Sequence, residues 1–235
     1  MLLRVRITLP DRPGALGQVA RTLGVAGADI VQVVVLERLA GRAVDDFTVS
    51  WPGATPPDRL ATDLTAIPGV RVEGIWRATA AMPGYGQDAQ VLSQVAANPA
   101  EGLATLVDAV PGLLAADWAV AAVVPADWAS AGGVTGREAA VAYASWQTPD
   151  TVALPEITPL RARSLDGPTA SMYAVAPFGR AGLVLVLARE DGEELPPAAF
   201  HVMEVDRLAQ LVQAAAVILG DRLDMVSPPL ATVRS

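Results

Sequence analysis

Residues 3–9, LRVRITL, alternate cleanly, with Leu3, Val5, Ile7 and Leu9 on one side and Arg4, Arg6 and Thr8 on the other. A period of two predicts a half-buried strand, and Pro10 ends it. From Gly14 to about Gly24 the spacing changes, and Leu16, Val19, Ala20 and Leu23 recur at helical intervals. Asp11 is placed to cap that helix, Pro13 suits its first turn, and Gly24 or Gly27 closes it. Residues 29–38, DIVQVVVLER, predict a strand that is apolar on both faces. Gly41 marks a turn and 43–51 the returning strand. A helix over 57–67 and a strand over 70–77 complete the series. The order is strand, helix, strand, strand, helix, strand. It predicts a ferredoxin-like α+β layer of four antiparallel strands with two helices on one face. In that topology 29–38 lies at a sheet edge, and an apolar edge invites pairing. Either the rest of the chain covers it, or two copies pair there and extend the sheet.

Residues 79–87, small and containing Pro and Gly, read as a linker between a first domain (1–78) and a second (88–226). Two amphipathic helices are expected over 88–98 and 99–113, then strands at 118–124, 137–146, 170–178 and 182–190. The last two flank residues 179–181 as a hairpin. A long helix from about Pro197 to Leu223 carries Val205, Leu208, Val212 and Ala215 on one face. Helices, an antiparallel sheet and a closing helix predict a second α+β unit. Segment 147–168 reads as a long connection, a lid or a plain loop, and 227–235 as a frayed tail. The run Arg189 to Glu194 reads as a solvated turn.

Composition narrows the chemistry. The 235 residues contain no cysteine, all 17 basic residues are arginine, and His201 is the single histidine. Thiolate nucleophiles, Cys-based zinc sites, Schiff-base lysines and most Ser-His chemistry therefore lack parts, and no enzyme is expected. His201 and Glu204 alone do not make a metal site, and no cofactor is expected. Trp118, Trp128 and Trp146 suit core packing better than a pocket. The net charge of −8 argues against nucleic acid and anionic membranes as partners. No apolar run approaches the roughly 20 residues of a membrane span, and MLLRVRITLPD does not read as a signal peptide. A cytoplasmic location follows as an expectation, and the Ala-, Gly-, Pro- and Arg-rich usage suggests a GC-rich bacterial source.

With DRPGAL (Asp11 to Leu16) after the first strand and AGADI (Ala26 to Ile30) opening the second, residues 1–78 resemble an ACT domain. This small module holds free amino acids for many amino-acid-controlled enzymes and regulators. The resemblance implies a ligand at a dimer interface, with Leu9, Asp11, Arg12, Pro13, Gly14, Ala15, Leu16, Asp29, Ile30 and Gln32 as the site. The backbone N–H groups near Gly14, Ala15 and Leu16 suit a carboxylate. Asp11 is able to accept from an ammonium, or else only to cap the helix; Arg12 reads as a solvated charge. Serine-sensing members of the family carry asparagines at the positions of Asp11 and Asp29 and a histidine at that of Leu9. Ionised aspartate cannot donate to a carboxylate, so serine specificity does not carry over. The stretch AEGLATLVDAVPGLLAADWAVAAVV (100–124) and the hairpin GLVLVLARE (182–190) resemble the opening and closing parts of GAF domains.

These readings converge on a non-catalytic regulator. A small amino acid would bind at the interface of a homodimer built on 29–38, and a partner enzyme or regulator would read the dimer arrangement. The alternative is a ligand-free interaction protein that keeps both folds as scaffolds.

Overall fold

The computed structural model describes residues 1–52, 56–78, 86–124, 140–152, 154–167, 170–180, 182–190, 192 and 196–226. The chain is α+β and builds two antiparallel sheets, of four and five strands. The first comprises β1 (Leu2–Pro10), β2 (Asp29–Leu39), β3 (Arg42–Ser50) and β4 (Arg71–Arg77), with helices α1 (Ala15–Val25) and α2 (Pro57–Thr65). Its strand order is β2-β3-β1-β4, so β2 lies at an edge as the pattern required. One face is apolar: Val5, Ile7, Phe47 and Ile75 pack against Val19 and Leu23 of α1 and Leu60 and Leu64 of α2.

The opposite face departs from expectation. Arg4, Arg6 and Thr8 are buried, not solvated, and so are Asp46 and Thr48 beside them. The second half of the chain lies over them. Arg6 grips Asp46 in bidentate fashion at 2.6 and 2.7 Å, reaches Glu204 at 2.9 Å and donates to the Ala199 carbonyl at 2.6 Å. Arg189 meets the other oxygen of Glu204 at 2.6 Å and donates to the carbonyls of Leu114, Ala115 and Ala198. The Arg189 guanidinium also lies 4.7 Å from the centroid of the Trp76 ring, whose Nε1 donates to Ala115. Arg189, expected on a solvated turn, is fully buried, because its planar fork satisfies five acceptor contacts at one junction. Close approach completes the seam: a Cβ at Gly74 would stand 2.3 Å from the Ala198 nitrogen.

The second sheet runs β6-β5-β9-β8-β7, from β5 (Trp118–Val123), β6 (Ala140–Ala144), β7 (Arg163–Asp166), β8 (Met172–Pro177) and β9 (Leu183–Arg189). Helices α3 (Gln87–Ala97), α4 (Gly102–Leu114) and α5 (Val202–Leu219) cover one face with a continuous aliphatic core. On the other face Trp118, Val175 and Val186 pack with Ile157 from the 147–162 segment. That segment was expected to be a loop throughout to 168, yet its end supplies β7, paired with β8. Helix α5 starts later than expected, because His201 is its N-cap in a reciprocal capping box with Glu204. Trp118 is a core residue, 6.1 Å edge-to-face from Tyr173, whereas Trp146 is 81% exposed and not part of any core. Trp128, most of the linker (79–85), the 137–139 end of the expected strand and the tail (227–235) lie outside the described residues.

Candidate functional site

Between β1 and α1 the chain makes a tight turn whose backbone is largely occupied by its own bonds. The Asp11 N–H donates to the Gly41 carbonyl at 2.8 Å, Arg12 to Pro10 at 2.9 Å, and Ala15 to Arg12 at 3.3 Å. The Ala15 N–H was expected to be open to a ligand, and the bond to Arg12 corrects that. Gly14 is the N-cap of α1 at φ 88°, a left-handed conformation that a β-carbon would strain, and no side chain caps the helix. Asp11 therefore does not cap. Its carboxylate lies 3.9 Å from Arg38 Nε of β2 instead, with both groups partly exposed. Gly27, at φ 81°, follows the end of α1 at Val25 and makes the C-terminal turn.

The ten residues singled out from the sequence separate into groups. Asp11, Arg12, Pro13, Gly14 and Leu16 are exposed around the turn, while Ala15 and Leu9 are buried in the apolar core. Ile30 packs partly against the same core. Gln32 lies on the opposite face, level with Thr48, and its buried Oε1 has no hydrogen-bond partner. Asp29 sits at the far end. It pairs with Ser50, which pairs with Leu2, whereas Asp11 follows Pro10 at the other end of β1. At about 3.3 Å per residue the two acids are roughly 30 Å apart along the sheet. One chain does not bring them together.

Edge strand β2 is the other notable surface. Among the described residues, the second half reaches it through His201, whose Nε2 lies 3.2 Å from the Glu37 carboxylate. Val31, Val33, Val35 and Leu39 remain 49, 37, 44 and 69% exposed. Cover by the rest of the chain, one of the two alternatives for this edge, leaves these four side chains in contact with solvent.

Two acids went unnoticed in the sequence. Asp45 and Asp46 are neighbours on β3 and point to opposite faces: Asp45 with Ile7 and Val35, Asp46 with Arg6 and Val34. Asp45 is 3% exposed, and its Oδ1 has no hydrogen-bond partner. Burial pushes its carboxyl above the ordinary range against the pull of Arg38, and Asp46 and Asp11 push in the same direction. Glu204 is held the other way: burial disfavours its charge, but Arg189 and Arg6 bring it down to about 2. The signal available in the sequence was the doublet inside a strand, where a buried acid needs a partner. On the α1–α2 seam, a groove of about 590 Å³ runs past Gly14, Gly17, Arg21 and Asp63. Among the described residues no group of three or more His, Cys, Asp or Glu is placed to hold a metal ion. No helix among them is long and apolar enough to cross a membrane.

No family model matches the chain, and no curated protein matches it. Solved structures give distant likenesses. A formyltetrahydrofolate deformylase from Pseudomonas putida KT2440 aligns at 15% identity and a TM-score of 0.28, over 43% of this chain and 39% of that one. The chain thus spans well under half the length of that enzyme. An unknown protein from Galdieria sulphuraria aligns at 11% identity and a TM-score of 0.29, over 96% of this chain and 94% of the other.

Proposed function

We propose that this chain is a non-catalytic, amino-acid-responsive regulator of the ACT type, joined to a GAF-like second domain and acting on a cytoplasmic partner enzyme or regulator. The observation that carries the reading is the uncovered β2 edge beside the β1–α1 turn. An exposed apolar edge strand is a template for a second strand. If β2 pairs antiparallel with its copy about a two-fold axis near Val34, Asp29 of the second copy falls opposite Leu39. That pairing removes the separation along the strands and leaves three strand spacings, about 14 Å, between Asp29 of the second copy and the end of β1. A ligand that spans the Asp11 turn and the second copy's edge would then link occupancy to dimer arrangement.

The test is a thermal-shift screen against the twenty amino acids, paired with light scattering. A ligand at a hundred times its dissociation constant adds about 2.7 kcal/mol to the dimer. A selective rise in Tm that Asp11→Ala removes supports the sensor. The Asp11–Arg38 contact, which already engages the acid, favours the second reading: an interaction protein with an intact dimer and no amino-acid response. A dimer unmoved by all twenty amino acids selects it.

A further inference from the structure

The sensor reading leaves open which part of a ligand the turn holds, and the charges around it bear on that. Asp45 sits on the helix-side face of β3, beside Val35 of β2 and Ile7 of β1. Its Oδ1 is buried and unpartnered, an arrangement that costs free energy unless something donates to it. The charged groups that bear on it are Arg38 of β2, Asp11 of the turn and Asp46 on its own strand. Asp46 is already committed to Arg6 on the opposite face. On the helix-side face two carboxylates therefore share one arginine, and Arg38 stands 3.9 Å from Asp11 with most of its surface in water. The surroundings are aliphatic: Val33 and Val35, on the same face of β2, are both exposed.

An acid with an unused oxygen beneath exposed aliphatic side chains is matched by a cation on an apolar stem. A second carboxylate is not matched, since Asp11 and Asp45 would both repel it. We infer that the β1–α1 turn and the β2 edge form a site for an alkylammonium group, with Asp45 as the principal counter-charge and Asp11 at the rim. This rests on the sensor reading and deepens it: the ligand is a basic amino acid or amine, recognised by its cationic end. The valines of β2 hold the stem, and Asp45 accepts from the ammonium.

Calorimetry on the full chain tests it, with L-lysine, n-butylamine, butyrate and L-serine as probes. Lysine and butylamine are expected to bind and butyrate is not. Asp45→Asn, nearly isosteric, is expected to weaken amine binding by about 10- to 100-fold. Its far-UV circular dichroism and Tm report whether it folds as the parent does. As pH rises through the raised Asp45 titration, amine affinity should increase, because the ionised form is the acceptor. Butyrate binding in place of butylamine, or amine binding untouched in Asp45→Asn, would overturn the inference. Serine binding without any binding of lysine or butylamine leaves the amino-acid sensor standing and removes only the cationic site. No response to any probe or to any of the twenty amino acids removes both.

Discussion

The two sheets solve the same problem in different ways. The five-stranded sheet is apolar on both faces, with a helical layer on one and the Ile157 segment on the other. The four-stranded sheet is apolar only toward α1 and α2; its other face is polar and is buried with Arg6 paired to Glu204, which Arg189 pairs in turn. Apolar contact is cohesive but tolerates sliding and repacking. A bidentate guanidinium–carboxylate pair fixes distance and angle, at a desolvation cost that only good geometry offsets. The polar junction thus specifies how the halves sit, while the apolar cores hold each half together.

The largest effect should come from cutting the junction at its centre. Glu204→Ala leaves Arg6 and Arg189 buried without their shared acid, and a loss of about 3–5 kcal/mol is expected in urea unfolding. Leu185→Ala in the apolar sheet should cost a comparable ~2–5 kcal/mol. The two differ in pH response. The Glu204 carboxyl is lowered in the folded protein, so its contribution is complete above its ordinary value of 4.5 and fades as pH falls toward about 2. The stability gap between parent and Glu204→Ala should therefore shrink across that window, while the Leu185→Ala gap stays constant. If both gaps behave alike, the contrast between the two regions fails.

A smaller effect is expected at the seam. Gly74→Ala drives a methyl group into the Ala198 backbone and should cost ~1–3 kcal/mol, with the halves loosening first. Hydrogen exchange at Ile75, whose N–H donates to the Pro196 carbonyl, would report the loosening. The smallest change in stability belongs to the β2 edge. Val35→Lys should alter unfolding by no more than about 0.5 kcal/mol, yet abolish self-association in light scattering. A dimer that survives it would relocate the interface.

Much of this architecture was legible from periodicity. The alternation of β1, the helical spacing of α1 and the edge position of β2 all follow from local pattern and element order. What stayed hidden depended on contacts distant in sequence. Nothing local distinguishes a solvated Arg6 from one that meets Glu204 nearly two hundred residues later. Arg189 looked like the start of a charged turn for the same reason, and four-residue β7 is defined only by its pairing with β8. At the turn, the Gly14 conformation fitted the motif, but the sequence suggested Asp11 as a cap, where the structure gives it to Arg38. Asp45 was missed because an acid inside a strand pattern reads as the solvent side until the register shows otherwise.

The doublet Asp45-Asp46 has a mechanical consequence. A single peptide unit, about 3.4 Å of chain, separates an acid that looks toward the turn from one clamped to the far half of the molecule. The two acids share one stretch of backbone, so a displacement of β3 that moves Asp45 on one side of the sheet also moves the carboxylate that seats Arg6 on the other.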